Sequence, residues 1–249
     1  MLAICAFYLY DACLPLAANA GLVRRTGRAR GYGWQAQWAT DGFEVRSAYL
    51  VWPALLLPHQ PVYLLRWNAG RIALPGNTAA LKHIQAHADS FQRFTLPLYG
   101  LGATLFVLLP IALFVWPNET AQLSAAAMIY LFAGWIAVHA WRRAGTGHTP
   151  QSVARSVAVQ CLLCPPFALN AVRKLSTAYT PEIDLLQAAQ HLLSAPAWHS
   201  FAERAQIVVK AELDAAQADG HTAQAQRLQT SLQTLRIHAP PGANSPHTN

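Results

Sequence analysis

Apolar residues in this chain gather into long runs instead of spreading as narrow stripes. The longest run covers 96–116 and contains no charged side chain. At ~1.5 Å per helical residue it matches a hydrocarbon core of about 30 Å. Pro97 falls in its first turn, where a missing N–H costs little, and Pro110 lies deeper, where it kinks the helix. Trp116 stands where an interface anchor belongs. A polar loop at 117–120 separates this run from a second, 121–141, whose only titratable side chains are Tyr130 and His139. Ser124, Ala125, Ala126, Ala127, Ala133 and Gly134 give the second run a small-residue face that another helix can approach closely. Two such runs joined by four residues predict a transmembrane helical hairpin. A buried soluble hairpin is the competing reading, and two adjacent charge-free runs of spanning length weigh against it.

The flanking patterns are mixed. Residues 1–23 are mostly apolar but broken by Asp11, Pro15 and Asn19. They predict a third transmembrane helix or a helix lying in the interface. A cleaved signal peptide is disfavoured, because no basic residue precedes the apolar run. Residues 24–77 form a basic, β-rich segment. Trp34, Ala36 and Trp38 alternate with Gln35 and Gln37, Asp41-Gly42 signals a hairpin, and Phe43, Val45 and Ser47 alternate with Glu44 and Arg46. A small sheet over about 22–72 is expected, with Trp34, Trp38, Trp52 and Trp67 mostly in its core. Residues 78–95 read as an amphipathic juxtamembrane helix with Leu81, Ile84, Ala88, Phe91 and Phe94 on one stripe. His83 and His87 fall off that stripe and are expected in solvent.

Beyond the hairpin, 142–180 is a basic segment with an apolar centre holding Cys161-Leu162-Leu163-Cys164-Pro165-Pro166. It is too short and too broken to span, and predicts an interfacial or re-entrant helix-break-helix. Residues 181–238 predict cytoplasmic amphipathic helices, the first opened by Thr180-Pro181-Glu182, the second ended by Gly220 and the third capped by Thr222. Residues 239–249, rich in Pro, Gly, Asn and Ser, predict a disordered tail. The fold class is therefore an integral membrane protein, mainly α: a transmembrane hairpin with an N-terminal third helix, a small cytoplasmic β-sheet subdomain and C-terminal cytoplasmic helices.

Composition agrees with this division. Of 249 residues 53% are apolar and 12% charged, against about 25% charged in a typical soluble domain. Disorder of the whole chain and a wholly soluble fold are both disfavoured. The net charge of +7 is distributed unevenly. Residues 21–95 hold nine basic and three acidic side chains, and 142–180 hold five basic and none acidic. The hairpin loop holds only Glu119. By the positive-inside rule both flanks are cytoplasmic, in the plasma (inner) membrane, and the loop is outside. The basic rim points to anionic headgroups, with Arg24, Arg25, Arg28, Arg30, Arg142 and Arg143 as contacts. No nucleic-acid motif accompanies it.

Candidate chemistry is sparse. Four cysteines do not make a disulfide framework. Cys161 and Cys164 fit apolar packing, acylation, a redox pair or half a zinc site, with packing favoured. Two histidines at i, i+4 are short of a metal site. No phosphate-binding loop, nucleophile elbow, dinucleotide fingerprint or zincin helix is present, so no catalytic residue, metal site or cofactor is assigned. The functional candidates are Asp11, Cys161, Cys164, Asn170 and Arg173. The expectation is a non-enzymatic scaffold or accessory subunit with a protein partner or a second copy. A membrane-surface enzyme acting on lipid or a lipid-linked substrate is the alternative, in which His59 joins these groups. A thiol or metal sensor using Cys161 and Cys164 is a third reading. Reporter fusions at Gly70 and Asn249 are expected to read cytoplasm and one at Asn118 the outside. A Gly70 fusion reading outside would restore the signal peptide.

Overall fold

The computed structural model describes residues 2–26, 33–46, 48–53, 56–67, 78–144 and 149–237. Arg28, Arg30 and the tail 239–249 lie outside the described residues. The first helix, α1, covers only Leu2–Ala12, or ~16 Å, half of a hydrocarbon core. Past Cys13 the chain is extended as β1 (Leu14–Leu16). It turns through a bond from Ala20 N–H to the Ala17 carbonyl and enters β2 (Ala20–Arg25). The expected third spanning helix is thus corrected to a short helix and two strands. Pro15 cannot donate within a helix, and Leu16, Ala20, Leu22 and Val23 beyond it are strand residues buried in the sheet cores.

Four more strands follow: β3 (Trp34–Trp38), β4 (Phe43–Val45), β5 (Ala48–Val51) and β6 (Val62–Arg66). They form two antiparallel sheets, β1-β5-β4 and β3-β2-β6. In the second, Val23 lies opposite both Ala36 and Tyr63. The hairpin expected at Asp41-Gly42 does not form, because β3 and β4 belong to different sheets. The Asp41 carboxylate accepts from Trp38 N–H at 3.3 Å and closes a turn that carries the chain from one sheet to the other. Gly42 follows because a Cβ there would lie 2.5 Å from the Leu50 carbonyl oxygen. Leu16, Ala20, Leu22, Ala39, Val51 and Val62 fill the space between the sheets.

Helices α2 (Thr78–Asp89) and α3 (Thr95–Ala103) belong to one continuous helix, Thr78–Val115. Its far end widens into π-helical turns on either side of Pro110. A proline lacks its own N–H and crowds the carbonyl four residues back, and a π turn relieves that clash. Helix α4 (Glu119–Arg143) returns beside it, started by the Asn118 side chain accepting from Thr120 N–H. Both helices are long and apolar enough to cross a membrane, and only 28% and 33% of their most apolar windows are buried within the protein. Helix α5 (Gln151–Leu163) lays Ala154, Val157, Ala158 and Cys161 against the small residues of α4. After Cys164 a 3-10 turn, Pro165–Asn170, reverses the chain into α6 (Ala171–Thr177).

Three contacts fix the height of this break. The Arg155 guanidinium lies 5.6 Å from the Trp141 ring, so α5 starts level with the end of α4. A Cβ on Gly100 would strike the Phe132 ring, and one on Gly102 would lie 3.9 Å from Leu169. The tip of α5–α6 therefore stands about halfway along the hairpin.

The remaining helices are α7 (Leu185–Leu192), α8 (Ala195–Ala218) and α9 (Thr222–Ile237). The cap expected at Thr180 is corrected to Asp184, whose extended backbone lets its carboxylate accept from Leu186 N–H at 2.9 Å. Helix α8 ends at Gly220, whose φ of +74° suits a residue without Cβ. α7 and α8 cover the outer face of β3-β2-β6 with α2. Their shared core includes Val23, Trp38, Tyr63, Ile84, Leu185 and Phe201, with the Trp38 and Phe201 rings stacked 5.3 Å apart.

Gly21 sets the fit of α7 on this sheet, since a Cβ there would lie 2.6 Å from Leu185 Cδ2 and 2.8 Å from the Gln37 carbonyl. Gly21→Ala is expected to destabilise by about 1–3 kcal/mol, read as a lowered thermal midpoint in detergent. Gly134→Ala, with nothing within 4 Å of the new Cβ, is the neutral control.

Candidate functional site

Three of the five sequence candidates come together where α1 meets the break after α5. Asp11 ends α1, Asn170 ends the 3-10 turn, and Arg173 lies one turn further along α6. The double proline makes this possible, because without the reversal Asn170 would continue away from α1. Asn170 Nδ2 donates to Asp11 Oδ2 at 3.0 Å and to the Tyr8 carbonyl at 3.4 Å, while its Oδ1 accepts from Arg173. Only this orientation of the amide satisfies both a carboxylate and a guanidinium. Arg173 also donates to the Tyr8 hydroxyl at 3.3 Å. Lys174, which sequence reasoning passed over, pairs with Asp11 Oδ1 at 2.9 Å and donates to Gln160 at 3.3 Å. Asn170 and Arg173 are 1% and 3% exposed, whereas Asp11 and Lys174 reach the surface. Two cations and one carboxylate leave the cluster at +1.

The cysteines stand apart from this network. Cys161 is buried in the α4–α5 contact. Cys164 is half-buried at the break, and the two thiols are unbridged. Among the described residues no three His, Cys, Asp or Glu side chains converge as a metal site. His59 lies outside the cluster, its Nδ1 3.1 Å from the Tyr99 hydroxyl.

The arginines expected at headgroups divide. Arg142 is exposed. Arg24 donates to Gln35, and burial followed by the like charge of Arg173 lowers its pKa. Arg25 pairs with Asp89. Arg143 turns inward: its guanidinium lies 3.6 Å from the Phe91 ring centroid and donates to Ser90 and to His87 Nε2, the latter at 3.3 Å. His87 is correspondingly 2% exposed, correcting its expected place in solvent. Since a guanidinium only donates, Nε2 accepts and the ring proton sits on Nδ1, 3.2 Å from the Tyr63 hydroxyl. Tyr63 in turn donates to the Ile84 carbonyl at 3.5 Å, and burial raises its phenol well above the usual range. Tyr179 packs 4.6 Å from the His87 ring. This second polar cluster was hidden because helical spacing draws one stripe, whereas α2 and its continuation are contacted from two sides.

Arg143→Ala is expected to cost about 2–3 kcal/mol, because it uncovers the Phe91 ring and leaves the buried His87 Nε2 to the Thr149 hydroxyl at 3.5 Å, and Arg143→Lys restores little, since an ammonium cannot both stack and donate as the fork does. A double-mutant cycle of Asp11→Asn and Lys174→Gln is expected to give a coupling of about 1 kcal/mol in thermal unfolding. For His59, burial lowers the pKa from 6.5. The unfolded chain then binds this proton first, so stability is full above pH 6.5 and falls as pH drops through and below that value. His59→Asn is expected to flatten that part of the pH–stability curve.

Comparison with protein families, curated proteins and solved structures gave no match in any of the three.

Proposed function

We propose that this chain is a small integral protein of the plasma (inner) membrane that serves as a non-enzymatic scaffold or accessory subunit of a membrane complex. The observation that carries this reading is the mutual pairing in the Asp11 cluster. Both carboxylate oxygens of Asp11 are engaged by Asn170 and Lys174, and Arg173 is held by Asn170 and Tyr8. A general base or an electrophile needs a face open to substrate. Groups matched to each other instead act as a clamp, here between α1 and the α5–α6 reversal. The exposed apolar belt of the hairpin, including Phe114, Trp116, Tyr130, Leu131 and Trp141, supports lipid or partner helices around it.

In this reading α5–α6 is re-entrant. Its tip lies ~12 Å below the level of Trp141, close to the middle of a bilayer core of about 30 Å. Asn170 then sits ~9 Å inside the first turn of the 96–116 span, where ion pairs are retained only when matched. The cytoplasmic unit of sheets and α7–α9 is carried on the same helix that enters the membrane.

A second reading, an enzyme acting on lipid or a lipid-linked substrate, is favoured by one feature. The +1 cluster opens through Asp11 and Lys174 beside the exposed Leu9 and Tyr10. Purification in mild detergent separates the two. The scaffold reading expects a stoichiometric protein partner or a homo-oligomer, and complementation by Asp11→Asn that follows the amount of folded protein. A clean monomer with turnover, lost in Asp11→Asn at unchanged thermal midpoint, would establish the enzyme instead.

A further inference from the structure

We infer that the outer edge of sheet β1-β5-β4, with Trp52, Leu56 and Leu57 beyond it, forms a membrane-contact surface, seated at the headgroup boundary beside the first turn of the span. The inference rests on the membrane reading above. Phe43, Val45, Trp52, Leu56 and Leu57 are 72%, 48%, 37%, 88% and 37% exposed, an apolar group that a cytoplasmic surface rarely leaves to water.

Two independent tethers set its height. The Trp52 indole N–H donates to the Leu9 carbonyl at 3.1 Å, tying the end of β5 to α1. Leu9 and its neighbour Tyr10 are themselves 44% and 83% exposed. On the other side, His59 packs against Tyr99, their rings 5.3 Å apart. Tyr99 is three residues into the 96–116 run, ~4.5 Å below its start. Asp11, two residues beyond Leu9, is bonded to Asn170, whose neighbour Leu169 faces Gly102. The tethers thus bracket the patch between ~4.5 and ~9 Å below the start of the span, about the ~5–10 Å that interfacial apolar groups reach. Phe43 and Trp52 meet edge to face at 5.9 Å and present one continuous surface.

Depth is limited from the other side. β4 is an edge strand with unpaired backbone groups, which hydrocarbon does not tolerate. Glu44 and Arg46 flank its apolar residues. The strand therefore rests among headgroups with only its side chains reaching the acyl chains. The occupant is the bilayer itself, because through Trp52 the patch adjoins the exposed Leu9 and Tyr10 of α1, and through His59 the exposed Tyr99 of the span.

The test uses the full chain in lipid nanodiscs with p-benzoylphenylalanine in place of Phe43 or Leu56. Phe114, 77% exposed within the span, is the positive position, and Ile207, 70% exposed on α8, the negative one. After irradiation, lipid adducts are counted by intact mass. Positions 43 and 56 are expected to resemble 114 and to exceed 207 by at least about tenfold. Adducts at 43 and 56 no higher than at 207, with 114 positive, overturn the inference and leave the membrane reading standing. A cross-linked dimer in place of lipid adducts at these positions also overturns it. Absence of lipid adducts at 114 as well overturns both.

Discussion

Everything in this molecule depends on one helix serving two cores. Thr78–Val115 is continuous, yet its first half packs with the sheets and α7–α8, while its second half packs with α4, α5 and α6. At the changeover the helix needs contacts on both sides within a turn. Arg143 supplies them from the end of α4. Its guanidinium covers Phe91 in one core and reaches His87, whose ring lies against Tyr63 and Tyr179 of the other. A guanidinium suits this place because its flat face stacks on a ring while its edge donates. The tilt of the sheets relative to the hairpin is thereby tied to one buried side chain.

The second fixed point is the clamp at Asp11, and here the chain behaves differently. Arg143 joins two large apolar bodies, so its polar partners only have to be satisfied. Asp11, Asn170 and Arg173 join pieces too short to hold themselves: an eleven-residue helix and a seven-residue one. Neither buries enough surface to fix its own position. Charge-assisted hydrogen bonds give the direction that apolar contact alone lacks. Ser176 extends the connection by accepting from Val62 N–H at 2.9 Å, so α6 also begins the edge of the second sheet.

Much of the architecture could be read from local pattern, and the failures share a cause. The two long apolar helices and the break at Pro165-Pro166 follow from features contained within twenty residues. Asp11, Asn170 and Arg173 were visible as polar exceptions in apolar surroundings, though nothing local links positions some 160 residues apart. Residues 1–23 misled because β2, buried on both faces over Ala20 to Val23, reads like a helix when only apolar content is counted. The Asp41-Gly42 turn was real as a turn, but turn chemistry does not say whether the next strand pairs with the last. His87 failed for a related reason: helical periodicity assumes one buried side, and this helix has two.

These two fixed points bear on how the molecule can act. A group that performs chemistry must be free to change its partners during a turnover, whereas Asp11 and Arg173 lose their satisfied contacts if they move. A group that transmits position has the opposite requirement. Asp11 joins α1 to the α5–α6 reversal, Ser176 joins that reversal to the sheets, and Arg143 joins the sheets to the hairpin. The three links run in series from α1 through the reversal and sheet β3-β2-β6 to the hairpin, and the packing of α4 on α5 closes the series. Displacing any one part therefore strains buried polar contacts elsewhere, and the sheets, the reversal and the hairpin hold a fixed relative height. A protein built this way holds the exposed surface of its hairpin and that of its sheets in constant register, which is what the accessory-subunit role proposed above requires.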